Sequence, residues 1–322
     1  MTQKKDTSII LAIESSCDDT AAAILKHGKI LANEVANQKI HEQYGGVIPE
    51  LASRAHTQNI VPVVDLALKK ANTEIKEITH IAYTLGPGLK GSLLVGTHFA
   101  QAMAHTLKVP FIEINHLQAH VAALYIQNPK PIFPFLCLLV SGGHTQIIKV
   151  DDFLDFKIIG ETLDDAVGEA FDKGAKMLGL PYPGGPHINQ LAKDGNVRFF
   201  ELPTTHLSDF NYSFSGLKTA LLYHLKKQTE VNPNYIKENL KDICATWQHS
   251  LIHNLMRQFE KSIKHFNVKS IAISGGVSAN TELRKAMQII GEKYQCEVMI
   301  PDFEYCTDNA AMVAISAYHQ IH

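Results

Sequence analysis

Cysteine is scarce in this 322-residue chain: there are five, at 17, 137, 244, 296 and 306, and no two form a C-x-x-C pair. An odd, scattered set is poor material for a disulfide framework and fits a reducing compartment such as the cytoplasm. Neither sign of charge dominates, since 30 basic and 32 acidic residues leave a net charge of -2. No global field would draw such a protein onto a polyanion, so an RNA substrate would need a local basic patch or a basic helper. Long apolar runs are missing as well. The start, MTQKKDTS, is polar, and the run after it is broken by Glu14 and Asp18, so neither a signal peptide nor a membrane span is expected. The phosphate-binding pattern G-x-x-x-x-G-K-[ST] does not occur, which removes the main support for a P-loop enzyme.

What is present is a 45% hydrophobic share over a length sufficient for two domains or one large double-lobed one. SIILAIESS, AAAILKHG and KILANEVAN read as a three-strand meander with a turn at His27-Gly28. Pro49 stands where a helical turn begins, and Leu51, Ala55, Val63 and Leu66 are expected on the inner side of a helix reaching Lys70. Strand HIAYTLG, a glycine-rich turn into a helix ending near Leu107, strand VPFIEIN and helix HLQAHVAALYI follow. The second half restarts with strands FPFLCLLVSG, HTQIIKVD and DFKIIGET. A helix over Leu163–Leu178, helices over 214–229 and 234–265, strand SIAISGG, helix 279–292, strand CEVMIP and helix 307–320 complete the chain. A meander followed by β/α units, occurring twice, predicts two related lobes, 1–133 and 134–322. The expected fold class is α/β of the actin, Hsp70 and sugar-kinase (ASKHA) kind, with an active site in the cleft between lobes. Folds of this kind serve many activities, so the residues must decide.

The sharpest local signal is NHLQAH. His116 and His120, at i and i+4, share one helical face and can offer two imidazoles to one metal ion, with a third ligand supplied from elsewhere. With 17 histidines in the chain, the plainer account, polar surface or hydrogen-bonded core residues, competes evenly. A zinc-protease reading needs H-E-x-x-H, and Leu117 stands where the glutamate base belongs. In YCTDNAAMVA, Thr307 is expected to cap a helix with Asp308 in its first turn; there Asp308 either serves the helix dipole or completes a two-His, one-carboxylate site.

Three Gly-rich turns, LVSGGHT (Ser141, Gly142, Gly143), PYPGGPHIN (Gly184, Gly185) and SGGVSAN (Gly275, Gly276), let backbone N–H groups approach phosphate oxygens. One such turn is ordinary; three favour a nucleotide cradle. ETLDDAVGEAFDKGAKMLGL reads as an amphipathic helix with Asp165, Glu169 and Asp172 in one stripe, either a solvated acidic face or, at Asp172, an acceptor for ribose hydroxyls. Cys17 has no basic neighbour in sequence to lower its pKa and is read as structural. Glu50 and Arg54 form an ordinary i, i+4 pair, and His41 and His56 are expected at the surface.

ESSCDDT (14–20), GGVIPELASRAH (45–56), LGPGLKGSLLVG (85–96), NHLQAH (115–120), LVSGGHT (139–145), LDDAVGEAFDKGAKMLGLPYPGGP (163–186), SFSGLKT (213–219), SGGVSAN (274–280) and TDNAAM (307–312) together resemble the TsaD (Gcp) family from end to end. The resemblance implies that His116, His120 and Asp308 bind one divalent metal, ferrous iron first and zinc as the alternative. It further implies that the backbone around Leu139, Val140, Ser141, Gly142 and Gly143, with Asp172, Gly185 and Asn280, holds threonylcarbamoyl-AMP. Some members carry an aspartate where Asn189 stands here, so that contact is open. The implied reaction moves the threonylcarbamoyl group onto the exocyclic amine of the adenosine beside the anticodon, in tRNAs reading codons that begin with A. The general base is unassigned, with Glu14 and Asp18 as candidates and the substrate phosphate as their rival. Implied partners are a TsaB-like paralogue, a TsaE-like ATPase and a TsaC-like enzyme supplying the adenylate, with no membrane; the chain resembles the bacterial catalytic subunit. A small-molecule kinase of the same fold, a metalloprotease and a non-catalytic nucleotide-binding scaffold are the rival readings.

Overall fold

The computed structural model describes residues 6–204 and 207–322, so the polar MTQKK start lies outside the described residues. The chain divides into two compact units, residues 1–130 with 301–322, and residues 131–300.

The first unit opens with strands β1 (Ile9–Glu14), β2 (Thr20–Lys26) and β3 (Lys29–Ala36), followed by helix α1 (Pro49–Lys70), β4 (His80–Gly86), α2 (Lys90–Leu107), β5 (Phe111–Asn115) and α3 (His116–Ala122). Its sheet has the order β3-β2-β1-β4-β5, with an antiparallel meander on one side and two parallel strands on the other. β1 is buried at every position, as a central strand covered on both faces requires. The α1 stripe differs from the expected one. Ala52, His56, Ile60, Val63, Val64 and Ala67 are buried, while Leu66 is exposed. His56 is the reason: it is fully buried, with Nδ1 2.8 Å from Thr20 Oγ1 and Nε2 3.0 Å from the Cys17 carbonyl, so a polar anchor lies within the apolar line. His41 is buried too, its Nε2 2.9 Å from Gln38 Oε1, and neither histidine is the surface residue expected.

The turn GPGLKG between β4 and α2 has the spacing G-x-G-x-x-G. Here the tight approach is to the chain's own backbone: a Cβ on Gly88 would sit 2.4 Å from the Ser16 carbonyl oxygen, which accepts from Leu89 N at 2.7 Å. The turn therefore braces the loop after β1.

The second unit repeats the plan with β6 (Phe135–Val140), β7 (Thr145–Asp152), β8 (Asp155–Glu161), α4 (Val167–Met177), α5 (Gly184–Leu191), α6 (Ser215–Val231), α7 (Tyr235–Glu238), α8 (Leu240–Phe266), β9 (Ser270–Ser274), α9 (Thr281–Tyr294) and β10 (Glu297–Met299). The sheet order β10-β9-β6-β7-β8 is that of the first unit strand for strand, with the same antiparallel and parallel pairings. Its core gathers Phe171, Tyr212, Phe214, Trp247 and Phe259. α4 begins at Val167 and not at Leu163, because the residues before it do other work. Asp164 accepts from Phe214 N at 2.8 Å and from Ser213 Oγ, tying down the start of α6, and Asp165 pairs with Lys173 at 2.8 Å and Lys218 at 2.6 Å. The acidic stripe thus loses its first member, and the SFSGLKT motif is absorbed by this clamp.

The last helix, α10 (Ala310–Ile321), packs against β1, β2 and α3 of the first unit. Every residue from Ala310 to Ala317 is buried, as expected of a helix apolar on all sides. Residues 301–322 therefore belong with 1–130, and the expected boundary, which assigned them to the second lobe, is corrected by this return. No helix among the described residues is long and apolar enough to cross a membrane.

Candidate functional site

In the first unit, β5 hands directly to α3 at Asn115. The Asn115 side chain caps the helix, accepting from Leu117 N at 3.0 Å and Gln118 N at 3.1 Å, which sets His116 as the first helical residue. His120 follows one turn later on the same face, and the two rings meet edge to face with centroids 4.7 Å apart. The carboxylate arrives from the other end of the sequence. Asn309, not Thr307, caps α10, its Oδ1 accepting from Met312 N at 3.0 Å, so Asp308 lies just before the helix and outside its first turn. Asp308 Oδ1 stands 3.1 Å from His120 Nε2 and 3.6 Å from His116 Nε2. One ligand atom from each of the three lies within 4.8 Å of the others, and His116 and His120 are buried.

The donor set fits a metal. Both ring nitrogens of His120 are buried; Nδ1 has no partner among the described residues, and Nε2 meets only the Asp308 carboxylate oxygen at 3.1 Å without a well-aligned hydrogen bond, an arrangement that is costly for a buried imidazole unless something else meets it. Two neutral imidazoles and one carboxylate form a set used by zinc and non-haem iron. Burial works against a charge on His116, but the facing Asp308 and Glu14 carboxylates outweigh it and push the imidazole up to about 9. A cation in this place would meet the need those carboxylates express.

Glu14 ends β1 with no exposed surface, and both its oxygens are engaged: Oε1 by Ser16 N, Oε2 by Thr84 Oγ1 at 2.5 Å and by His116 Nδ1 at 3.2 Å. Burial pushes its carboxyl up, yet the His116 imidazole brings it below the usual carboxylate value. So enclosed, Glu14 is withdrawn as a base for a substrate amine. Asp18 and Asp19 remain on the half-buried loop that follows. Burial raises Asp19 to about 7 despite the hydrogen bond from Asn37, and Asp18, Asp308 and Glu14 add to the rise. A cation held by Asp308 would pull that value down. Cys17 is no nucleophile: burial first, then Asp18 and Asp308, hold its thiol far above the ordinary value.

The expected nucleotide residues all fall in the second unit. Leu139 and Val140 are wholly buried in β6, with their backbones paired to β7, so neither side chain can touch a ligand. Ser141 closes the turn, its N donating to the His144 carbonyl at 2.8 Å and its Oγ accepting from His144 N at 3.1 Å. A Cβ on Gly142 or Gly143 would meet nothing within 4 Å, which leaves this stretch of backbone open on one side. Asp172 Oδ1 accepts from Gly184 N at 2.7 Å and Gly185 N at 3.4 Å, fastening the start of α5. Its other oxygen has no hydrogen bond to the described residues; burial, opposed by these two amides, raises its carboxyl. Asn280 caps α9 through Glu282 N and Leu283 N and donates to Gln248 Oε1 at 2.7 Å, so one amide hydrogen is left for a ligand. Asn189 accepts from Thr281 at 3.0 Å and is tied into the frame. One residue escaped sequence reasoning: Ser278, in the SGGVSAN turn, is buried with its hydroxyl unpartnered among the described residues. No local pattern marks it, because its isolation depends on what packs around it.

A family model described as TsaD, tRNA N6-adenosine threonylcarbamoyltransferase, matches residues 29–315. The chain belongs to the TsaD family. A tRNA N6-adenosine threonylcarbamoyltransferase of Christiangramia forsetii is 55% identical over 314 residues, covering 97% of this chain and 92% of that protein. Proteins of the same name from Porphyromonas gingivalis and Caldicellulosiruptor saccharolyticus are 53% and 45% identical, covering 98% and 97% of this chain and 94% and 93% of their own lengths. Among solved structures, HypF of T. kodakarensis matches with a TM-score of 0.65 at 15% identity, over 97% of this chain and 48% of its own. Component A of the Acidaminococcus fermentans (R)-2-hydroxyglutaryl-CoA dehydratase matches at 0.55 and 16%, over 97% and 98%. At such identities the structures speak for fold alone. With the duplicated sheet order they place this TsaD family member in the actin, Hsp70 and sugar-kinase fold class expected from its sequence.

Proposed function

We propose that this chain transfers the threonylcarbamoyl group of threonylcarbamoyl-AMP to the exocyclic amine of the adenosine beside the anticodon, in tRNAs reading codons that begin with A. In the balanced step, the amine nitrogen bonds to the carbamoyl carbon, the bond from that carbon to the phosphate oxygen breaks, the nitrogen loses a proton and AMP leaves. Relatives bearing the name tRNA N6-adenosine threonylcarbamoyltransferase over nearly the whole chain support the reading. The single structural observation that carries it is the meeting of His116, His120 and Asp308, with His120 Nε2 facing the Asp308 carboxylate and His120 Nδ1 buried without a partner among the described residues.

A purine amine is a weak nucleophile because its lone pair is delocalised into the ring, so help must reach the electrophile and the leaving group. Those three residues would hold one divalent ion, ferrous iron or zinc. When bound, such an ion supplies Lewis-acid stabilisation of charge on substrate oxygens, worth several kcal/mol in typical sites. In the second unit, the open backbone at Gly142 and Gly143 would accept the phosphate, and the second oxygen of Asp172 the ribose hydroxyls. Ser278 Oγ and the remaining amide hydrogen of Asn280 add donors to the same cradle. Asp19 is the acid–base group the loop after β1 offers for the amine proton.

The net charge of -2 leaves RNA capture to a local surface or to helpers. A TsaB-like paralogue and a TsaE-like ATPase would serve here, a TsaC-like enzyme would supply the adenylate, and the cytoplasm is the expected compartment. The test is to incubate the protein with threonine, bicarbonate, ATP, the adenylate-forming enzyme, the partners and unmodified tRNA, and to analyse the nucleosides. Threonylcarbamoyladenosine should form with wild type and be lost in His116→Ala and Asp308→Ala. Full activity in the metal-free double variant defeats the proposal.

A further inference from the structure

The geometry points to Glu14 as a positioning residue: a sealed carboxylate that holds the Nδ1–H of His116 and so presents His116 Nε2 to a metal. The inference rests on the metal-binding reading above and adds a residue to it.

A histidine binds a metal through one nitrogen only when the other is held as a donor; otherwise the ring tautomerises and turns. His116 Nε2 faces Asp308 at 3.6 Å, toward the ligand cluster. Its Nδ1 faces the opposite way, 3.2 Å from Glu14 Oε2 and 3.2 Å from Ser16 Oγ. An ionised carboxylate only accepts hydrogen bonds, so the proton between Glu14 and His116 belongs to the ring nitrogen.

Glu14 is itself fixed from three sides. It ends the fully buried strand β1, Thr84 at the end of the neighbouring β4 donates to its Oε2 at 2.5 Å, and Ser16 N donates to its Oε1. Gly88 presses on the backbone of Ser16, leaving no room for a Cβ. A fully buried acid is expensive unless its oxygens are satisfied, and this one spends its remaining capacity on one histidine nitrogen. His120 has no such brace, since its Nδ1 is without a partner among the described residues. The two imidazoles of the cluster are therefore unequal, with His116 oriented in advance.

The test uses the full-length protein with Zn2+ alone as probe. Affinity is measured by competition with a fluorescent chelator, and the ring nitrogens of His116 are followed by 15N NMR in the zinc-loaded state. Wild type should bind Zn2+, with Nε2 metallated and a low-field Nδ1–H resonance, and His120→Ala should lose binding. Glu14→Gln keeps the shape but turns an amide N–H toward Nδ1, so affinity should fall about 10- to 100-fold and the Nδ1–H resonance should vanish. Glu14→Asp should recover part of the loss. Should Glu14→Gln not fold, Glu14→Asp takes its place, with about a tenfold loss expected. Wild-type affinity in whichever Glu14 variant folds, with His120→Ala still impaired, overturns the role of Glu14 and leaves the metal reading standing. Failure of wild type to bind Zn2+ overturns the metal reading itself.

Discussion

Replacing Asp308 with asparagine is the sharpest test of the cluster, because it removes one charge and almost no volume. The side chain is 22% exposed, so no cavity forms and stability should move by less than about 1 kcal/mol. For domains of 150–250 residues that is about 2–4 °C in Tm. Metal binding should respond far more. A four-ligand structural zinc site is held by about 10–16 kcal/mol, so one ligand carries about 2.5–4 kcal/mol. That is about 10²- to 10³-fold in affinity. The assay pairs chelator competition for Zn2+ and Fe2+ with nucleoside analysis of tRNA from the reconstituted reaction. Modification should fall at limiting metal and recover partly when metal is raised into the new binding range. An Asp308→Asn protein that binds metal as wild type does, or modifies tRNA at the wild-type rate once stripped of metal, refutes the reasoning.

Asn309→Ala removes the cap of α10 and should cost about 1 kcal/mol in urea unfolding, with a loss of tRNA modification beyond what that destabilisation explains, since the same cap places Asp308. Gly275→Ala should destabilise by about 2–4 kcal/mol by the same measure, because φ is +86° and the new Cβ would lie 2.4 Å from the Val140 carbonyl oxygen; stability unchanged from wild type would show that the turn yields. Glu260, on α8, is lowered to about 2, first by the hydrogen bond from Lys293 and then by that from Tyr294. Its folded pKa being depressed, its contribution is present above the usual 4.5 and lost as pH falls toward 2. The lysines stand largely in solvent, so screening reduces the effect to about 1 kcal/mol. Stability curves for wild type and Glu260→Gln should therefore converge between pH 4.5 and pH 2, and parallel curves would contradict the assignment.

Local chemistry carried much of the architecture. The alternation and apolar runs of the strands, the His27-Gly28 turn, Pro49 at a helix start and the i, i+4 histidines are all properties of short windows, and each lies where it was expected. Readings failed where a side chain serves a distant partner. His56 looked like a surface residue because its partners, Thr20 and the Cys17 carbonyl, belong to another element. Asp165 looked helical because nothing nearby announces Lys218. In TDNAA both Thr307 and Asn309 can cap a helix, and the choice between them decides whether Asp308 lies in the helix or at the cluster; a window of five residues holds no term that makes it.

The sequence by itself therefore determined two copies of a five-stranded plan and two imidazoles on one helical face, because periods of 2.0 and 3.6 residues are set by backbone geometry. It also determined the family, because nine ordered motifs leave little room for another. Only the tertiary structure decided that α10 returns to the first sheet, that Asp308 thereby meets His116 and His120, and that Glu14 grips the far side of one of those rings. The first two follow from burying a largely apolar helix against a strand nearly three hundred residues away, and the third from the parallel pairing of β1, β4 and β5, which brings the end of β1 beside the start of α3; both energies belong to the packed chain and to no segment of it.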